Sequence, residues 1–249
     1  MRPRQIPAEE IRFAAKMGFL TKEIWDEFFG TKSRSWRSRQ WRALQEEKFF
    51  LPHPSAIAKD VIIPNAGHKT VQQLVGHEVS TAPYAGHIGH DEILSKILIR
   101  LMRAKAIRDF TSEAELKRRH QDDRHWSHRQ EKLKFPDAIL ALNGESSLRN
   151  LALEIELTAK CQKRYRKIFD TYQDRKQIQA VVFVINSSGI FKALTKAIKD
   201  SRYPDWAKPV GFGRLDEWLT DPENAPIRFR ELTTSLKDLK ANSHSLLKT

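Results

Sequence analysis

The chain has 249 residues, with 44 Lys+Arg against 31 Asp+Glu, a formal net charge of +13 and a pI of about 9.9. Its hydrophobic fraction of 40%, with 13 Phe and 6 Trp, excludes wholesale disorder, and its single cysteine, Cys161, excludes an intramolecular disulfide framework and a Cys-rich zinc site. The longest purely apolar run, 180–185, is too short to cross a bilayer, and MRPRQIPAEEIRF lacks the apolar stretch of a secretory signal, so the expectation is a soluble, cytoplasmic protein with no membrane contact whose positive excess serves a polyanion, usually nucleic acid.

The first 65 residues read as a small helical unit. Ile11, Phe13, Ala14, Ala15 and Met17 predict a helix over 8–19, with Gly18 near its end. Thr21 is a candidate N-cap for a second helix bearing Ile24, Trp25, Phe28 and Phe29, stopped by Gly30. Ser33 or Ser35 caps a third, running to about 47. Two β-prone pieces follow, 48–51 and 61–63. Three helices and a hairpin give the order of a winged helix-turn-helix, expected over 1–65. The stretch 66–89 is rich in glycine and is expected to be a linker, with one helical turn at 71–75.

From residue 90 the pattern becomes α/β. Ile93, Leu94, Ile97, Leu98, Leu101 and Met102 mark an amphipathic helix. A strand at 106–110 and a charged helix at 112–119 come next, then a polar stretch up to Pro136. Strands are expected at 139–142 and 151–157, joined by a turn at 143–147. A helix over 158–174 carries Tyr165, Ile168, Phe169 and Tyr172 on one face. A buried strand at 179–185, a helix at 190–199 and a short strand at 210–212 complete a domain over 90–220. Residues 221–249 have weak periodicity and are expected to be a C-terminal extension, frayed from 234. The fold class expected is mixed α/β (α+β).

The segment 31–42, TKSRSWRSRQWR, holds five basic residues and no acid. Lys32, Arg34, Arg37, Arg39 and Arg42 alternate with Trp36 and Trp41, which are expected to pack inward. The third helix of a winged helix lies in the major groove, where cationic side chains meet phosphates and guanine edges. The alternative is a solvated basic face. The segment 160–167, KCQKRYRK, is also basic, with Lys163, Arg164, Arg166 and Lys167 placed to grip a phosphate backbone.

Asp137 opens the strand at 139–142, and Glu154 and Glu156 lie two apart on the next strand, so both point to one face. Carboxylates converging from adjacent strands repel one another unless a cation joins them. Mg²⁺ (or Mn²⁺) takes one or two carboxylates together with waters and phosphate, and such a metal can activate water and polarise a phosphodiester. Lys160, expected in the first turn of the following helix, can reach back towards these acids. The alternative for Glu154 and Glu156 is an exposed strand face paired with cations across the sheet.

Pro136–Asp137, Glu154 and a nearby lysine, in helix–strand–strand–helix–strand order, resemble the PD-(D/E)XK (restriction-endonuclease-like) superfamily. The N-terminal winged helix, the ExEL strand and the helix reading KxxxRYxxIxxxY are similar to the replication-relaxation group of mobile-element proteins. The resemblance spans about residues 8–186. It implies a restriction-endonuclease-like mixed sheet flanked by helices, Asp137 and Glu154 as metal ligands, and Glu92 as the helical acid often found before the sheet. The usual lysine position is occupied here by Glu156, so Lys160 becomes the substitute catalytic lysine.

The reading is a DNA-binding protein of a mobile element, acting as a Mg-dependent endonuclease on double-stranded DNA. The alternatives are a catalytically inactive DNA-binding protein of plasmid replication, mobilisation or transcription control, and an interaction subunit of a transposition or conjugation complex. A homodimer or a complex with other mobile-element proteins is compatible with either. The histidine groups His77, His87, His90 and His120, His125, His128 lack zinc-site spacing and are expected to be solvated.

Overall fold

The computed structural model describes residues 8–29, 31–55, 58, 60–76, 79–80, 83–122, 134–144, 149–173, 175–200, 208–230 and 232–241. Among them the chain is a mixed α+β protein with two sheets, one of three strands and one of seven. It divides into two compact units, Met1–Lys96 with Ala114–Asp122, and Ile97–Glu113 with Asp123–Thr249. Gly30, residues 145–147 of the expected turn, His77, His125 and His128 lie outside the described residues, as does the stretch 242–249.

The first unit begins with α1 (Ala8–Met17), β1 (Leu20–Thr21), α2 (Lys22–Phe28) and α3 (Arg34–Glu46). Its hairpin strands are β2 (Phe50–Pro52) and β3 (Val61–Pro64), and β1 and β2 both pair antiparallel with β3. Gly18 closes α1 with φ 83°, a left-handed conformation that glycine adopts without steric cost. Thr21 caps α2 through its side chain, accepting from the Ile24 amide at 3.1 Å, and Ser33 caps α3 by accepting from Trp36. Ile11, Phe13, Phe19, Leu20, Ile24 and Trp25 form the buried centre. Trp36 and Trp41 are only half-buried, stacking at the core margin on Phe29 and Trp25.

The stretch expected as a linker over 66–89 carries a helix where one turn was expected, at 71–75. Residues Lys69–Val75 form α4, capped by His68, and Val71 is fully buried. The Ser80 amide donates to Ala15 O at 2.8 Å, so the chain beyond α4 also returns to α1. His68 also meets the Phe49 ring edge-on at 4.6 Å, and His53 bonds to the Pro83 carbonyl at 3.1 Å, contacts that produce no periodic pattern.

The second unit is built on the seven-stranded sheet, in the order β10-β9-β8-β7-β6-β5-β4. Its chain runs from the end of α5 (Ile88–Arg103) into β4 (Ile107–Ser112), β5 (Ala138–Leu142) and β6 (Asn150–Glu156), an antiparallel meander. The helix α6 (Glu113–Asp122) separates β4 from β5. Crossovers through α7 (Gln162–Gln173) and α8 (Ser188–Lys199) place β7 (Ala180–Ile185) parallel to β6, and β8 (Val210–Arg214) parallel to β7. Tyr165, Ile168, Phe169 and Tyr172 of α7 pack with Ile190 and Leu194 of α8 onto Ala152, Val181 and Phe183. The Phe169 and Phe183 rings meet edge-on at 5.6 Å.

Two further expectations change here. Residues 221–249 are not merely an extension, because β9 (Ile227–Phe229) and β10 (Leu232–Thr234) continue the sheet and α10 (Leu236–Ala241) buries Leu236 and Leu239. The helix α9 (Leu215–Thr220) precedes them and lays Trp218 against β8, where a Cβ on Gly213 would stand 2.2 Å from the indole Nε1. The α7 helix starts at Gln162 rather than 158, so Lys160 lies in the turn before it. The Lys160 amide there donates to the Tyr165 hydroxyl at 3.1 Å.

Candidate active site

Strand register builds the site. Ser112 on β4 stands opposite Ala138 on β5, which stands opposite Leu153 on β6. The residue just after β4, the one just before β5 and the next on β6 are Glu113, Asp137 and Glu154. Three acids therefore form a row across three neighbouring strand ends. The Glu113 amide donates to Asp137 O at 2.9 Å, and Asp137 Oδ2 accepts from the Ile155 amide at 2.7 Å. The second of these bonds fixes the Asp137 carboxylate.

The cation in this row is Lys134, which no sequence motif or period singled out. Its ammonium lies 3.5 Å from Glu154 Oε2, 3.7 Å from Asp137 Oδ1 and 4.0 Å from Glu113 Oε1. Phe135 helps hold the segment in place, because the Arg175 guanidinium stacks over its ring at 4.4 Å. Lys208 in turn donates to the carbonyls of Tyr172 and Arg175, both at 2.6 Å, tying down the end of α7. The available signal was the KFPD adjacency, three residues before Asp137.

Glu154 and Glu156 do share a face, as the two-residue period requires, but that face is not exposed. Both are 1% exposed, because α7 covers it. The alternative of a solvated strand face is thus ruled out by the packing of Tyr165 and Tyr172. The Tyr172 hydroxyl donates to Glu154 Oε1, while Glu154 Oε2 has no hydrogen-bond partner. Burial, reinforced by the neighbouring Asp137 charge, pushes the Glu154 carboxyl up to about 8, against the opposing pull of Lys134. Burial works against the Lys134 charge, but Glu154, Asp137 and Glu113 outweigh it and raise its pKa above the ordinary lysine value. Glu156 is also raised by burial, and its partner is Lys160, whose ammonium bonds to Glu156 Oε1. The expected substitute lysine is therefore held by Glu156, and Lys134 is the amine that faces Asp137 and Glu154.

Glu92 lies in the first unit, where Lys96 pairs with it at 3.2 Å and also pairs with Glu23. Among the described residues no group of three or more His, Cys, Asp and Glu side chains is arranged to hold a metal. The two carboxylates that fit one are Asp137 and Glu154, whose Oδ1 and Oε2 both face the same ammonium, the second with no hydrogen bond of its own. Two carboxylate oxygens meet the modest protein share of a Mg²⁺ shell.

The basic helices separate into exposed and engaged side chains. On α3, Lys32 (just before it), Arg34, Arg39 and Arg42 are exposed. At about 100° per residue, Arg34, Arg42 and Arg39 share an arc of about 140°. Arg37 points elsewhere. Its Nε donates to Asp26 Oδ1 at 2.7 Å and its Nη1 to Lys32 O at 2.6 Å, locking α3 to α2. On α7, Lys163, Arg164, Arg166 and Lys167 are all exposed, opposite the buried tyrosine stripe. No described helix is long and apolar enough to cross a membrane.

Comparison with known proteins gives no match to a family model, a curated protein or a solved structure.

Proposed function

We propose that this protein binds DNA and hydrolyses its phosphodiester bonds at the row formed by Asp137, Glu154 and Lys134. The observation that carries the reading is one lysine ammonium within 4 Å of two buried carboxylates on adjacent strands. The helix–strand–helix–strand–strand–helix–strand order of α5 through β7, with Asp137 leading β5 and Glu154 on β6, supports assignment to the PD-(D/E)XK pattern. The order α1-β1-α2-α3-β2-β3 supports a winged helix, with the exposed arginines of α3 as its groove contacts.

Each residue has a definable task. Asp137 and Glu154 would hold a Mg²⁺ or Mn²⁺ ion, which when bound polarises the phosphodiester and lowers the pKa of water. Tyr172 orients Glu154 through Oε1 and leaves Oε2 beside the Lys134 ammonium. The Lys134 ammonium stands where it neutralises charge that develops on a phosphate oxygen. Lys163, Arg164, Arg166 and Lys167 would contact the phosphate backbone from the outer face of α7. Glu156 and Lys160 form a supporting pair rather than part of the reacting set.

Supercoiled plasmid incubated with Mg²⁺ or Mn²⁺ tests the reading. The wild type is expected to nick it, and Asp137→Ala to lose that activity. Equal nicking by both proteins overturns the assignment. Filter binding tests the DNA surface. Replacing Arg34, Arg39 and Arg42 together should weaken binding and flatten its salt dependence, with a slope change of about 0.9 for each phosphate no longer neutralised.

A second reading has its own support in the absence, among the described residues, of a three-ligand metal cluster. The chain would then be a DNA-binding protein of a mobile element, serving replication, mobilisation or transcription, with the lysine permanently neutralising its acid pair. Salt-sensitive DNA binding with no cleavage under any divalent metal would favour it.

A further inference from the structure

We infer that Lys134 is a resident counter-ion, which a divalent cation must displace in order to bind Asp137 and Glu154, so that this side chain sets how weakly the site holds metal. The inference rests on the reading of those two carboxylates as the metal-holding pair.

The geometry supplies the competition. The ammonium faces Asp137 Oδ1 at 3.7 Å and Glu154 Oε2 at 3.5 Å, the two oxygens a metal would use. A divalent cation bonded at about 2.1 Å to Glu154 Oε2 lies within about 6 Å of the ammonium wherever it sits around that oxygen. At that separation, in a site with little water, the two cations repel strongly.

The lysine is also held in a way that allows exchange. Its contacts with Asp137 and Glu154 are longer than the roughly 2.7–2.9 Å of a charge-assisted hydrogen bond. Glu154 Oε2 is buried without a hydrogen-bond partner, so the lysine neutralises it without saturating it. Glu113 Oε1, at 4.0 Å, offers a carboxylate to which the flexible lysine stem can turn. Lys160 differs, because it is hydrogen-bonded to Glu156.

Calorimetric titration of Mn²⁺ into the full chain at pH 8 tests this, with wild type, Lys134→Gln, Lys134→Arg and Asp137→Asn compared. Lys134→Gln is expected to bind about tenfold tighter or more. Asp137→Asn, introduced into either background, should abolish the binding. Lys134→Arg keeps the charge and gains a fork suited to carboxylates, so it should bind metal no more tightly than wild type. This variant also keeps the test open if Lys134→Gln fails to fold, since tighter binding by Lys134→Arg overturns the inference. Binding by Lys134→Gln that is equal to or weaker than wild type overturns the inference and leaves the carboxylate pair standing as a metal site. Failure of both wild type and Lys134→Gln to bind millimolar Mn²⁺ overturns the metal site as well.

Discussion

Glu154 and Glu156 stand two residues apart on β6, are equally buried and share a face, yet they have different surroundings. Glu156 meets Lys160 from the turn four residues on, and Tyr165 from α7. Glu154 meets a tyrosine from α7 and a lysine from the segment before β5, and that lysine also faces Asp137 and Glu113. Burial and charge do not distinguish the two glutamates. Convergence does, because only Glu154 belongs to a row drawn from three strands.

The largest stability difference should come from the two lysines. Lys134→Ala removes the common partner of three acids and should cost about 3 kcal/mol, as breaking a buried ion pair does. Lys160→Ala deprives one carboxylate rather than three of its cation and should cost less, about 1 kcal/mol. Urea denaturation of the two variants measures the gap. Equal costs would erase the contrast between the two glutamates.

A smaller effect comes from pH. The folded-state Glu154 carboxyl titrates near 8, above its ordinary value of 4.5, so the folded chain holds a proton that the unfolded chain has released between these values. Stability from this group therefore falls as pH rises from about 4.5 towards 8 and levels off beyond it, with a slope of at most about 1.4 kcal/mol per pH unit. Glu154→Gln cannot titrate, so its melting temperature should be less sensitive to pH over that window than that of the wild type. Parallel curves for the two proteins would place the proton elsewhere.

Much of the scaffold was legible because local chemistry specifies it. Thr21 and Ser33 announce helix starts through side-chain oxygens, and the apolar stripe Tyr165, Ile168, Phe169, Tyr172 announces the face of α7. Asp137 and the β6 glutamates were legible by strand period. What the sequence concealed depends on pairing between distant segments. Lys134 sits in a polar stretch without periodicity, and only the β4-β5-β6 register brings it to three acids. Glu113 read as the start of a charged helix, although it also ends the row across the strands. Arg37 resembled its basic neighbours until α2 placed Asp26 beside it. The strands β9 and β10 have three residues each, too few to show an alternation, and are held by pairing to β8 and by the buried Ile227 and Phe229.

Cleavage of supercoiled plasmid by Lys134→Ala and Lys160→Ala, compared with wild type at saturating Mn²⁺, tests the central claim most directly. The account predicts that the wild type cuts, that Lys134→Ala is slowed by about a hundredfold or more, as loss of a charge-stabilising group at a reacting centre costs, and that Lys160→Ala stays within about threefold of wild type, since its partner Glu156 lies outside the row. Loss of cleavage in Lys160→Ala with retention in Lys134→Ala, or no cleavage by the wild type with any divalent metal, would contradict it.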